Sequence, residues 1–449
     1  MKHTTRTALR ICTLCLAAVF LFQLTGCRKK TEFTAGTVYF LNFKPEIADV
    51  YDEIAQVYQK ETGVTLRVVS AASNTYEQTL KSEIAKSDAP TLFQINGPIG
   101  YAAWKDYCAD LSDTAIYQHL IDKDLAITSG GKVYGIPYVI EGYGIIVNNA
   151  IMEKYFALPD RATEVKSLEE IKNFDTLKAV VEDMTAHKEV LGIDGVFAST
   201  SLKSGEDWRW QTHLANIPMY YEFMDKEYDL TTDTVSEVEF AYSDNYRNLF
   251  DLYLNNSATD PKLAGSKQVT DSMAEFATGK CAMVQNGTWA WSQIKDVSGN
   301  VVKEEDIRML PLYTGMEGEE AQGLSIGTEN YLAINAKASA EDQKLAADFV
   351  NWLFTSATGK KFVTEKLEFI TPFDTFSEEE QPDDPLAKEL LSWQGKENIR
   401  SIPWVFTVFP SQNFKTDFGS DLLQYAQGNK EWDEVVGNVT KNWMTEAKG

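Results

Sequence analysis

Histidine is scarce in this chain: four residues, at positions 3, 119, 187 and 213. No two of them share the spacing that would place imidazoles around one zinc or iron ion, so a metal enzyme is not expected. The same scarcity argues against a serine hydrolase. Gly323-Leu324-Ser325-Ile326-Gly327 spells the G-x-S-x-G turn, but an α/β-hydrolase needs a histidine after its nucleophile, and none follows His213. The context also fails, because the motif follows a glycine-rich loop and leads into a strand-like run instead of a helix. Phosphate-cradling glycine loops are missing too, so this chain is not expected to hydrolyse ATP.

Basic residues are in deficit, 42 Lys and Arg against 66 Asp and Glu, for a net charge of −24. Such a surface repels nucleic acid and offers no cationic patch to an anionic membrane. Of the 5 cysteines, Cys12 and Cys15 lie in the N-terminal stretch and Cys27 closes it. Cys108 and Cys281 remain; an oxidising compartment would allow a bridge between them, but two buried free thiols are the expectation. Past the N-terminal stretch, no run is long and apolar enough to cross a bilayer.

That stretch is informative. Lys2, Arg6 and Arg10 precede an apolar run from Ile11 to Leu24, too short to span a membrane comfortably, and Leu24-Thr25-Gly26-Cys27 follows. A short apolar run ending in a small residue and cysteine reads as a bacterial lipoprotein signal, not as an uncleaved anchor helix. Residues 1–26 are then a signal peptide and 27–36 a tether. The Cys27 thiol would carry diacylglycerol, and the new α-amine a further acyl chain in some bacteria. The expected location is the extracytoplasmic face of the cell membrane, with lipid as the sole membrane contact.

The remainder is too long for one core and suits two lobes. Strand-like runs alternate with amphipathic helices, the pattern of α/β layers. Thr37–Asn42 reads as a strand, Ile47–Glu61 as a helix stopped by Gly63, and Val64–Ser70 as a strand. Ser167–Met184 reads as a helix capped by Ser167 with Glu170. Asp207–Ala215 reads as a helix, Cys281–Gln285 and Tyr331–Asn335 as strands, Ala340–Leu353 as a helix, and the chain from Asp417 onward as helical.

Paired carboxylates for glycoside cleavage carry no information when acids are this abundant. The aromatics say more. A sugar presents an apolar C–H face and a rim of hydroxyls, so its pocket needs flat rings beside planar hydrogen-bonding groups. Trp208, Trp210, Trp289, Trp291 and Trp404 fall at or beside loops, close to Glu206, Asp207, Asn286 and Glu141. Alternate residues of a turn point opposite ways; Trp208 and Trp289 are assigned to a pocket, Trp210 and Trp291 to the core.

Lys132-Val133-Tyr134-Gly135-Ile136-Pro137 with Glu141 and Asn148-Asn149, then Gly279 to Met283, Asn286-Gly287-Thr288-Trp289-Ala290-Trp291 and the Tyr331–Leu353 strand and helix, together resemble the family-one solute-binding proteins of carbohydrate ABC importers, the group of maltose-binding protein. The likeness extends over nearly the whole chain after the signal. It implies an α/β, two-lobe, type II periplasmic-binding-protein-like fold with ligand between the lobes, no catalysis and no cofactor. Lobe 1 would comprise 37–138 and 325–368, and lobe 2 would comprise 139–324 and 369–449, hinged near Tyr138–Gly142, Leu310–Tyr331 and Glu368–Pro372.

Residue by residue, Glu141 falls on the family's acidic group at the first crossover, with a hinge salt bridge as its other reading. Trp289 falls on the tryptophan that stacks on sugar, and Glu206 and Trp208 resemble the acid and aromatic of the second lobe. Lys44 falls near a polar first-lobe contact or is simply solvated. The polar and aromatic cluster of maltodextrin binders is replaced by Gln94, Asn96 and Gly97-Pro98, so maltose itself is not expected; the Trp404–Asn413 loop would supply a late aromatic. The implied partners are a carbohydrate and an ABC permease with its separate ATPase, the protein itself being a monomer. Rival readings are a metal-ion or anion binder, with adjacent Tyr220-Tyr221 as an iron-tyrosinate candidate, an exported carbohydrate-active enzyme, and the ligand-binding subunit of a sensor.

Overall fold

A computed structural model describes residues 36–72, 75–228, 230 and 235–447. Cys27 and the expected signal lie outside the described residues, as does the tether apart from Gly36. The strands are β1 (Thr37–Asn42), β2 (Thr65–Ser70), β3 (Leu92–Asn96), β4 (Ile127–Ser129), β5 (Lys132–Pro137), β6 (Glu141–Asn148), β7 (Gly195–Phe197), β8 (Cys281–Gly287), β9 (Ile307–Leu310), β10 (Gln322–Gly327), β11 (Asn330–Ile334) and β12 (Arg400–Pro403).

They form two 6-stranded sheets, the first ordered β2-β1-β3-β11-β5-β4, the second β12-β10-β6-β8-β7 with β9 added beside β6. In the first sheet β1 pairs in parallel with both β2 and β3, while β11 runs antiparallel to β3 and β5. Parallel neighbours need a helical crossover. Helix Ala48–Thr62 supplies one, burying Tyr51, Ile54 and Tyr58 and ending at Gly63, whose φ of 78° is left-handed and suits glycine. In the second sheet β6 is buried along its whole length, pairing β8 on one side and β10 and then β9 on the other.

The chain passes between sheets at Tyr138-Val139-Ile140, where the Ile140 N–H donates to the Ile370 carbonyl at 2.7 Å. It passes again at Thr328-Glu329. That second passage comes later than the 324/325 division read from the sequence, because β10 stays paired with β6 through Gly327. The third also differs. Phe369 and Phe373 pack in the core of the first lobe, the Ile121 N–H donates to the Pro372 carbonyl, and Glu380 pairs with Lys360 at 2.5 Å. The chain returns to the second lobe only at Gln381–Asp384, before helix Pro385–Gln394, whose Leu386 and Trp393 join a second-lobe core.

Two local expectations need correction, both of helices, and the rejected serine turn has a structural reason. The helix expected from Ser167 begins at Phe174, capped by Asn173, which exchanges hydrogen bonds with Thr176; Leu168–Glu170 is a separate 3₁₀ turn. The G-x-S-x-G sequence lies within β10, with Ser325 opposite Tyr143, so its serine is part of a ladder and not of an exposed turn. Helix Asp207–Ala215 is instead a π-helix over Arg209–Leu214. Cys108 and Cys281 are both free and buried, one in each lobe.

Candidate functional site

A cavity of ≈ 490 Å³ opens where both sheets present their strand ends. From the first lobe come Lys44 just past β1, Asn96 at the end of β3, Glu329 in the second passage, and Glu77. From the second come Glu206, Trp208 and His213 on or beside the π-helix, Trp289 after β8, Trp404 after β12, and Lys415 on helix Gln412–Ala426. Glu141 opens β6 and faces the same space.

The aromatic wall is dense. Trp208 and Trp289 have ring centroids 6.1 Å apart, and Trp289 and Trp404 6.4 Å apart, nearly perpendicular at 84°. His213 stacks on Tyr143 at 4.1 Å and meets the edges of Trp208 at 5.0 Å and Trp289 at 5.5 Å. The π-helix makes this possible. Its i→i+5 hydrogen bonding, seen from the Ala215 N–H to the Trp210 carbonyl at 3.4 Å, widens the turn so that residues five apart share a face. In an α-helix Trp208 and His213 would diverge.

The polar groups are charged and mostly paired. Lys44 Nζ lies 2.6 Å from Glu141 Oε1 and 3.6 Å from Glu46, with both members of the closer pair buried. Burial opposes the Lys44 charge, but Glu141 and Glu46 outweigh it and hold the ammonium above its usual range. Burial raises the Glu329 carboxyl against the pull of Lys415 and of the Asn96 amide, which donates at 2.7 Å. Burial lowers Lys415, against the attraction of Glu329 and Glu77. Burial, reinforced by Arg209 and Lys415, drives His213 well below its usual value, so the imidazole is neutral. Gln211 Oε1, His213 Nδ1 and Trp404 Nε1 on this wall, and Asn330 Oδ1 on the first-lobe side of the cavity, are buried without a partner among the described residues. Planar donors and acceptors beside flat rings suit a ligand that is hydroxylated at its rim and apolar on its faces.

Asp207, behind the wall and 4% exposed, is raised by burial to about 6, above the ordinary ~3.9. The folded protein therefore holds this proton more tightly than the unfolded chain. Stability should fall as pH rises from about 4 to about 6, and Asp207→Asn should flatten that decline by about 2 kcal/mol at ~1.4 kcal/mol per pKa unit. Melting temperatures of both proteins across that window would decide; parallel curves would refute it.

Residues 53–389 match the family described as bacterial extracellular solute-binding protein. This chain belongs to that family. Its fold is the type II periplasmic-binding-protein-like arrangement. This solute-binding protein is 27% identical, over 181 residues, to the melibiose/raffinose/stachyose-binding protein MelE of Bacillus subtilis (strain 168). That match spans 38% of this chain and 40% of MelE. The structure of RafE in complex with raffinose superposes with a TM-score of 0.71 at 18% identity, covering 92% of this chain and 99% of the other. Maltose-bound MalE3 of T. maritima gives 0.65 at 14% identity, covering 91% and 99%.

The binding protein brings Lys44, Asn96, Glu141, Glu206, Trp208, Trp289 and Trp404 to one cavity. Gln94 is the exception. It is fully buried, its Oε1 accepting from the Phe43 N–H and its Nε2 donating to the Tyr138 hydroxyl, each at 2.5 Å; it braces the first passage. Lys44 is paired with Glu141, not solvated, so the hinge-bridge reading of Glu141 and its pocket reading coincide. Glu206 also holds the Val269 N–H at 3.1 Å. Trp210 and Trp291 are core. Tyr220 is buried in the second-lobe core and Tyr221 donates to Gln322, away from the cavity.

His213, Glu329 and Lys415 went unread. His213 enters the sequence reading only in the arguments against metal and serine-hydrolase chemistry, and nothing in the spacing announces a π-turn. Lys415 sits in an ordinary amphipathic pattern that hides which cation faces the cleft.

Gly287 shows how tightly Trp289 is seated. A Cβ built on Gly287 would overlap the Trp289 ring, so the glycine is required for close approach. Gly287→Ala should swing the indole from its place and weaken solute binding about tenfold, the equivalent of ~1.4 kcal/mol. Titration calorimetry would check this, and an unchanged Kd would show that the ring's position does not matter.

Proposed function

We propose that this chain is the substrate-binding lipoprotein of an ABC importer, capturing a sugar or oligosaccharide between its lobes and delivering it to a membrane permease. The observation that carries the reading is the single cavity in which Trp208, Trp289 and Trp404 stand opposite carboxylates and amides of the other lobe. Ligand touching both lobes binds the closed arrangement more tightly than the open one and shifts the population by that difference. The passages at Tyr138–Ile140, Thr328-Glu329 and Gln381–Asp384 are the places where backbone rotation would open the cleft. Closure would present a continuous two-lobe surface to a permease whose ATPase is a separate subunit. Cys27 would tether the protein to the extracytoplasmic face of the membrane by lipid alone, with the protein acting as a monomer. The named ligands of MelE and RafE support a saccharide as the solute.

A thermal-shift screen against neutral mono- and oligosaccharides tests this, since a ligand specific to the folded state stabilises by about 2.7 kcal/mol at a hundred times its Kd. At least one saccharide should raise the melting temperature without releasing reducing sugar. A shift given only by metal ions or inorganic anions, or sugar cleavage, would refute the reading.

A further inference from the structure

Beside the sugar-sized cavity lies a second one of ≈ 340 Å³, bordered by the hinge residues Val139, Ile140 and Ile370. Both cavities are lined by the same Lys44, Glu46, Glu141 and Trp289. The boundary between them is therefore the Lys44–Glu141 pair flanked by Glu46, with one indole as the wall common to both. The Lys44–Glu141 contact is short, at 2.6 Å, and its side chains are only 7% and 8% exposed. Glu46 at 3.6 Å and the Trp289 ring, 5.9 Å from the ammonium, steady Lys44 from two further sides. Its backbone is held by Asn42, whose amide donates to the Lys44 carbonyl at 2.7 Å while its Oδ1 accepts the Lys44 N–H.

We infer that the Lys44–Glu141 pair is an end wall that determines ligand length: it confines the sugar to the larger cavity, and the smaller cavity would accept further sugar units if the wall were removed. The inference rests on the saccharide reading above. A desolvated pair with several supports resists opening, because each partner alone would be a buried uncompensated charge. The smaller space is suited to hydroxyls, since Ser292 and the Lys295–Glu368 pair, at 2.7 Å, border it. Trp289 offers it the same indole that serves the larger.

The test is affinity against chain length. Wild type, Lys44→Ala and the double variant Lys44→Ala/Glu141→Ala are titrated with galactosyl-sucrose, xylan-, chitin- and malto-type oligosaccharides of two to five units. The double variant, which strands neither charge, guards against misfolding of the single one. Wild-type affinity should rise with length and then level off once the larger cavity is filled; in the variants the next longer members should gain at least fivefold relative to the short ones. Variants that bind but keep the wild-type length profile overturn the end wall alone and leave the saccharide reading standing. Wild type binding none of the series overturns both.

Discussion

Trp289→Ala should remove nearly all of the thermal stabilisation given by the best saccharide and raise its Kd by about a hundredfold or more, the equivalent of ~3 kcal/mol. Trp289 offers the cavity a partly exposed indole, and its neighbours cannot take over its plane, because Trp208 is tilted to it by 56° and Trp404 by 84°. An alanine there would leave the sugar's apolar face against open space, losing both burial and ring contact. The fold should persist, since Trp289 is only partly buried at the margin of the second-lobe core. Calorimetric titration together with the melting curve of the ligand-free variant separates the two effects. A Kd within twofold of wild type would take Trp289 out of the pocket, and Trp289→Phe should lie between.

Arg209→Met should lower the stability of the ligand-free protein by about 3 kcal/mol, through the loss of charged donors to buried carbonyls. The guanidinium is wholly buried and has no carboxylate within ion-pair distance among the described residues. Instead Nη1 donates to the Gln285 carbonyl at 2.7 Å, and Nη2 reaches the carbonyls of Ser199 and Thr200 at 3.4 Å each. These tie the start of the π-helix to β8 and to the segment after β7. Methionine fills comparable volume but donates nothing, so the Gln285 carbonyl would face a dry interior, while the Thr200 carbonyl keeps the Trp210 indole N–H and the Ser199 carbonyl the Ser201 hydroxyl. The same ties position Trp208 and His213, so saccharide affinity should weaken even well below the melting temperature. Thermal denaturation of the ligand-free protein is the direct measure; a melting temperature equal to that of wild type would show the bonds to be dispensable. Arg209→Lys, with fewer donors, should recover part of the loss.

Much of the site was legible in linear order because its residues follow strand ends, where turn and aromatic residues interrupt an apolar run. Asn286 to Trp291 after β8 is the plainest case, and Lys44, Asn96 and Glu141 are likewise strand-terminal. Gln94 misled because a polar residue near a strand end is ambiguous between facing the cleft and bracing the backbone; the hydroxyl of Tyr138, distant in sequence, decided it. The second passage is misplaced by a few residues and the third by more for a related reason, since the pairing of β10 with β6 through Gly327 and the packing of Phe369 and Phe373 in the first lobe depend on partners that local pattern does not name.

What the sequence by itself determined is the chemistry available: α/β layers from periodicity, an excess of acidic groups, tryptophans beside carboxylates, and a cationic then apolar N-terminal stretch closed by Cys27. These follow from the local run of side chains. Only the tertiary structure decided that Lys44 pairs with Glu141, that the π-turn sets His213 between Tyr143 and the tryptophans, and that Glu329 and Lys415 line one cleft from opposite lobes. Each of those joins residues far apart in the chain, and it is burial at a shared boundary, not spacing along the backbone, that gives them their charge state and their role.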